Sequence, residues 1–343
     1  MIMSRGIVKP LSLAATLVVL GLSGFACTEV KDTLEDADKG LASVLSGDDP
    51  ELQGLSGSEL TEALYQQALQ RRDAGQEQEA FERFLAAAER GHGPAAYEIG
   101  EAYNAGRGVE QDATAGAKWI NTAAARGEPR AQYTVGAALY NGAGVERDYT
   151  RAVRYLGNAA SQGHPDAQYL LGECYANGRG VTKNLAWAAR WYGKSAAQGH
   201  PEGAFSYGVV QAAGLGLPEN LAAGYAWLDI ASDRGHGKAG EVRAAIANKM
   251  SPAQIEAGKR RAARFTPASE NTFADRPTVM YVQHSLNRLG FNAGPVDGLM
   301  GPRTRSAITA FLSSIGDESS GKGVTPALLQ RLFEQQQANA GTS

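Results

Sequence analysis

Four of the five histidines, His92, His164, His200 and His236, are separated by 72, 36 and 36 residues, and the first chemistry that spacing suggests is a row of metal ligands. Geometry weighs against it. Imidazoles that share one zinc ion each lie ~2 Å from it. Adjacent packed helices stand about 8–10 Å apart, so rings one repeat apart do not chelate together. These histidines read instead as turn residues, and no metal or other cofactor is expected. Trp119, Trp191 and Trp227 share the same register. They could stack on sugar rings, but aromatic packing between helices accounts for them better. Cys174 aligns with Ala102, Ala138 and Val210, which marks a small buried hydrophobe rather than a nucleophile. Outside that register His284 is the only histidine, too few for a zinc hydrolase site, which needs clustered His and acidic ligands. A glycosidase needs two carboxylates facing a cleft, and no non-repeat segment is long enough to house one. The expectation is a protein without a catalytic site.

What positions these residues is a repeat. Gly91, Gly127, Gly163, Gly199 and Gly235 stand 36 apart, as do Gly100, Gly136, Gly172 and Gly208, and the pairs from Gly106/Gly108 to Gly214/Gly216. Tyr97, Tyr133, Tyr169 and Phe205 keep step, followed by Trp119, Tyr155, Trp191 and Trp227. Each unit reads as a helical hairpin. Its first helix stops at Gly106 or an equivalent, the residue type that accepts the left-handed conformation of a C-cap. Its second starts behind Asp112, Asp148, Asn184 or Asn220, whose side-chain oxygens can cap free backbone N–H groups. Gly116, Trp119, Ile120, Ala123 and Ala124 then form one apolar helix face. Gly100 and its equivalents lie inside the first helix, where glycine costs ~1 kcal/mol relative to alanine. A recurring cost of that kind predicts a close helix crossing there. A hairpin over 59–90 with a shortened loop at Gly75 precedes the full units, and Ser251-Pro252-Ala253-Gln254 is a capping box that opens a closing helix.

The pattern A-x-x-x-G-x-x-Y-x-x-G-x-G-V, with a later aromatic and A-A-x-x-G, resembles the Sel1-like repeat, a relative of the tetratricopeptide repeat. Val109, Val145, Val181 and Leu217 fill its valine position, while Leu139 and Gln211 replace the tyrosine kept at Tyr103 and Tyr175. The resemblance implies an α-solenoid that binds protein or peptide along its surface.

Beyond a polar stretch over 266–277, Val279, Val282, Leu286 and Leu289 mark a helix ended by Gly290; Pro302 and Thr325-Pro326 start two more. The run L-x-x-L-G-F-x-x-G-P-V-D-G-x-x-G-P-x-T-R-x-A-I-x-x-F from Leu286 to Phe311 resembles the peptidoglycan-binding domain that accompanies many wall hydrolases. Leu312 stands where that family usually has Gln, and its second V-D-G turn is blurred over 317–324. Gly294, Gly298 and Gly301 are expected to supply turn conformations. Asp297 is expected foremost to cap the turn, and with Asn292, Arg303, Thr304 and Arg305, the polar groups flanking the loop, it completes the set of candidate peptidoglycan-binding residues. An arginine there could pair with peptidoglycan carboxylates through its planar fork.

The N-terminus adds an address. Arg5 and Lys9 precede an apolar run from Leu11 to Leu22 and a small-residue exit at Gly24-Phe25-Ala26, the pattern of an export signal. Ser23-Gly24-Phe25-Ala26-Cys27 resembles a lipobox, in which Cys27 would be acylated; plain cleavage after Ala26 satisfies the junction equally. Charged residues make up 20% of the 343 and the net charge is −3, which gives no basic field for nucleic acid. The expected division is an export signal over 1–26, an acidic linker over 27–58, a Sel1-like solenoid over 59–265, a linker over 266–277, a three-helix peptidoglycan-binding domain over 278–335 and a disordered tail over 336–343. The expected fold is all-α. The expected function is a periplasmic scaffold, lipid-anchored if Cys27 is acylated, that holds peptidoglycan at one end and envelope proteins along its repeats. The alternatives are a pure protein adaptor and an accessory subunit of a wall hydrolase.

Overall fold

A computed structural model of the chain describes residues 51–268, 275–317 and 323–340. Among them are fifteen α-helices and no strands. The helices are α1 (Gly57–Asp73), α2 (Glu77–Glu89), α3 (Gly93–Ala105), α4 (Ala113–Ala125), α5 (Pro129–Asn141), α6 (Tyr149–Ser161), α7 (Pro165–Asn177) and α8 (Leu185–Ala197). They continue as α9 (Pro201–Ala212), α10 (Leu221–Asp233), α11 (Ala239–Ala247), α12 (Pro252–Ala263), α13 (Arg276–Arg288), α14 (Pro302–Ser314) and α15 (Pro326–Ala340). The expected export signal over 1–26, Cys27 and the expected acidic linker as far as residue 50 lie outside the described residues. The described chain falls into two compact units, the first ending at Ala159 and the second beginning at Ala160.

In the first unit α1 to α6 form successive hairpins. Each boundary has a local cause. At α3, His92 Nδ1 accepts from Ala95 N at 3.1 Å, and the helix ends at Gly106 with φ 66°, in the left-handed region. At α4, Asp112 accepts from Thr114 N and Ala115 N at 2.8 and 3.0 Å. The expected close crossing is present: a Cβ on Gly100 would lie 2.6 Å from Ile120 Cγ1 and 3.0 Å from the Gly116 carbonyl oxygen. Ala95, Ala96 and Ile99 of α3 and Ile120, Ala123 and Ala124 of α4 are all buried.

In the second unit the pattern recurs in α7/α8 and α9/α10, with His164, His200, Asn184 and Asn220 as side-chain caps. A Cβ on Gly172 would lie 2.6 Å from the Tyr192 ring, and one on Gly208 would lie 2.9 Å from Leu228 Cγ. The capping box of Ser251 and Gln254 forms and opens α12, whose Gly258 lies against Tyr225. Phe265 beyond it meets the Trp227 ring edge-on at 5.3 Å. The short helix α11 has no counterpart in the sequence-based expectation. The aromatic register is less uniformly enclosed than expected: Trp191 is buried, whereas Trp119, Tyr155 and Trp227 are half-buried.

Three helices, α13 to α15, close over Tyr281, Val282, Leu286, Ile308, Phe311, Leu328 and Leu332. Two expected boundaries shift. Asp275 caps α13 by accepting from Thr278 N at 2.9 Å, so residues 275–277 belong to the helix and its cap rather than to a linker. The last helix continues to Ala340, because Gln336 is held in place by donating to Ser285 Oγ at 2.8 Å. Residues 269–274 of the polar stretch and residues 341–343 are outside the described set.

Candidate functional site

The loop between α13 and α14 is organised from beneath by one side chain. Gln283, only 1% exposed, donates from Nε2 to Asp297 Oδ1 at 2.9 Å, to the Leu299 carbonyl at 3.0 Å and to Thr304 Oγ1 at 3.2 Å. Its Oε1 accepts from Gly298 N at 2.9 Å. One helical turn later Asn287 donates to the Gly294 carbonyl and accepts from Ala293 N, both at 2.8 Å. Two amides at i and i+4 on one helix thus hold both ends of a loop with no regular structure. Gly298 sits at φ 76° with Arg276 against it, and Arg276 donates from Nε to the Asp297 carbonyl at 3.0 Å.

The five polar groups singled out from the sequence separate into two sets. Thr304 is buried at 2% exposure and donates to the Ala293 carbonyl at 3.1 Å, so its hydroxyl is committed inside the body. Asp297 accepts from Leu299 N at 2.9 Å as a turn cap. The Gln283 amide, and then the Leu299 N–H, hold its carboxyl below the usual carboxylate range. Asn292, Arg303 and Arg305 are exposed. Asn292 receives a 3.3 Å bond from Gly294 N, and a Cβ on Gly294 would lie 3.5 Å from Arg303 Cδ, so Arg303 lies beside that glycine. Leu299, 62% exposed, adds an apolar tip to the loop. The sequence reading missed Gln283, and the signal was present: it falls four residues before Asn287, facing a Gly/Pro-rich loop that has few donors of its own.

The remaining candidates are occupied structurally. In the second unit His200 offers Nδ1 to Gly203 N at 3.1 Å while its Nε2 meets Asp166 Oδ1 at 3.0 Å. Capping therefore uses one nitrogen and a carboxylate fixes the other. Cys174 is fully buried, and burial raises its thiol to about 12, the reverse of what a nucleophile needs. In the first unit Glu98 lies between Arg72 and Arg130 at 2.8 and 2.7 Å, with Arg130 also paired to Glu128 at 2.8 Å and over the Tyr97 ring at 4.4 Å. That network ties together the first helices α1, α3 and α5. Among the described residues no helix is long and apolar enough to cross a membrane.

Comparison with known families matches the described architecture in two places. Residues 93–128, 129–164, 165–200 and 201–236 each match the Sel1 repeat, and residues 275–312 match the putative peptidoglycan binding domain. Among solved structures, a Sel1 repeat protein from Oxalobacter formigenes is 23% identical, with 62% of this chain and 87% of that one covered and a TM-score of 0.49. A protective antigen present in uropathogenic Escherichia coli strains, displaying an SLR fold, is 20% identical over 84% of this chain and 72% of its own, with a TM-score of 0.50. The latter likeness is one of fold. No curated protein matches the chain.

Proposed function

We propose that this chain, which carries four Sel1 repeats and a C-terminal putative peptidoglycan binding domain, is a non-enzymatic scaffold of the bacterial periplasm. The C-terminal body, α13 to α15, holds peptidoglycan, and the repeats hold protein partners. The N-terminal export signal delivers the chain, and acylation at Cys27 would anchor it to the membrane. Domains of these two kinds suggest wall binding and protein interaction respectively, and a wall-associated or periplasmic place. The carrying observation is the division of labour in the α13–α14 loop. Gln283, Asp297 and Thr304 spend polar atoms on holding the loop, and Asn292, Arg303 and Arg305 are left exposed to solvent. Peptidoglycan stems carry carboxylates, which a guanidinium fork pairs in two parallel bonds.

The test is co-sedimentation of the full chain with purified sacculi. Wild type is expected in the pellet, and Arg303→Ala/Arg305→Ala about tenfold less of it, since two exposed pairs contribute ~1 kcal/mol or less each. Salt should weaken the binding as well. Failure of the wild type to sediment would end the wall-binding reading and leave the repeats as a protein adaptor. Sensitivity of processing to globomycin decides acylation of Cys27.

A further inference from the structure

In the second unit the second helix of the third Sel1 repeat, α8, differs from its counterparts. Trp187 stands where α4 and α6 have Ala115 and Arg151, and Lys194 where they have Thr122 and Asn158. Arg190 keeps the cation of Lys118 and Arg154, yet those two are exposed whereas Arg190 is 3% exposed. What covers it is α13. Lys194 pairs with Asp275, the cap of α13. Arg190 donates from Nε to Thr278 Oγ1 at 3.1 Å and lies over the Trp187 and Trp191 rings at 4.8 and 4.4 Å. Trp187 meets Tyr281 edge-on at 4.6 Å and Phe333 at 5.2 Å. Gly193 is required here, because a Cβ on it would lie 2.7 Å from Pro277 Cβ. Tyr207 of α9 donates to Met280 Sδ at 3.4 Å, and Asn184, which caps α8, donates to Gln336 of α15 at 3.2 Å.

We propose that α8 is a receptor face for a helix N-terminus and that its occupant is the chain's own α13, so that the C-terminal body is clamped to the third repeat rather than carried on a free tether. The recognised features are an acidic cap, a proline and a threonine in the first turn, and an aromatic one turn on: Asp275, Pro277, Thr278 and Tyr281. This is recognition of an amphipathic helix in a groove, with the anchors spaced along one face. A buried cation needs such partners, because an uncompensated one is strongly destabilising. Asn292, Arg303 and Arg305 stay exposed in the clamped state. If the wall-binding reading holds, a molecule bound to peptidoglycan therefore presents its third and fourth repeats in a fixed orientation, and α8 itself is closed to other proteins.

The test needs no wall and so fails or succeeds apart from that reading. Hydrogen exchange is followed on the full chain for wild type, Lys194→Gln, Asp275→Asn and the double variant. Asparagine keeps the cap of α13 and removes only the charge. Lys194→Gln is expected to speed exchange in α13, and Asp275→Asn to speed it in α8, each by about tenfold, equivalent to ~1.4 kcal/mol of local opening. The double variant should be no worse than either single one, because each removes the same pair. Unchanged exchange in the opposite helix, or additive effects in the double variant, would overturn the proposal.

Discussion

The repeats and the C-terminal body face one problem, the holding of irregular turns between helices, and solve it differently. In the repeats each helix start is capped by its own neighbours, and side chains of the next repeat add bonds such as Arg126 Nη1 to the Ala88 carbonyl at 2.7 Å and Gln198 Nε2 to the Gly163 carbonyl at 2.8 Å. His92, Asp112, His200 and Asn220 cap helices two or three residues away, and Gly106 ends one with its left-handed backbone. In the C-terminal body Gln283 on α13 alone reaches across 14 to 21 residues to make four bonds, and Asn287 one turn on adds two at the other end of the loop. Distributed holding tolerates the loss of any one part. Concentrated holding does not.

The strongest way to break that contrast is Gln283→Leu. The side chain is similar in size, but Gly298 N–H, Asp297 and Thr304 lose a buried partner together, at a cost of about 3–4 kcal/mol. Denaturant unfolding should show the C-terminal body lost first, with the repeats retained. A loss below ~1 kcal/mol would mean the loop holds itself and the contrast is wrong.

Acid should separate the same two regions. His284 on α13 has its Nε2 buried without a hydrogen-bond partner among the described residues, and burial, then Arg288, lowers its pKa to about 4. A depressed histidine is neutral in the fold while the unfolded chain takes up a proton. Its contribution is thus intact above pH ~6.5 and is lost as pH falls towards 4, by roughly 3 kcal/mol in all. His284→Gln should flatten the acid limb of the C-terminal transition. Equal acid sensitivity in that variant would remove His284 as the cause.

Much of the repeat architecture was legible because its causes are local and recur. A cap, a C-terminal glycine and a glycine at a crossing each act within one hairpin, and four copies in register disclose them. The C-terminal loop was half legible. The turn-capping place of Asp297 follows from its neighbours, but the burial of Thr304 does not, since the first turn of a helix after a loop is ordinarily exposed. The bonds of Gln283 link distant positions and leave no periodic trace. The seat of α13 on α8 was hidden for the same reason, although Trp187 and Lys194 mark it as departures from the register.

Glycine substitution sharpens the comparison within the repeats themselves. Gly100→Ala must place its Cβ against Ile120 and the Gly116 carbonyl, and overpacking of this kind costs about 1–3 kcal/mol. Gly157, inside α6, has nothing within 4 Å of the same position. Gly157→Ala should therefore gain up to ~1 kcal/mol of helix propensity. Opposite signs in thermal unfolding of the two variants would tie the in-register glycines to close crossing; matching signs would reduce them to composition.

The smallest effect is the most telling about distribution. Asp112→Ala removes two cap bonds at the start of α4 and should cost about 1 kcal/mol. Asp112→Asn, which keeps an accepting oxygen, should cost a few tenths or less. Because the two cap bonds are local to α4, the loss should speed hydrogen exchange in the first turn of α4 and leave α9 and α10 unchanged. An effect on exchange throughout the repeats, as large as that of Gln283→Leu on the C-terminal body, would show that the repeats too depend on single points.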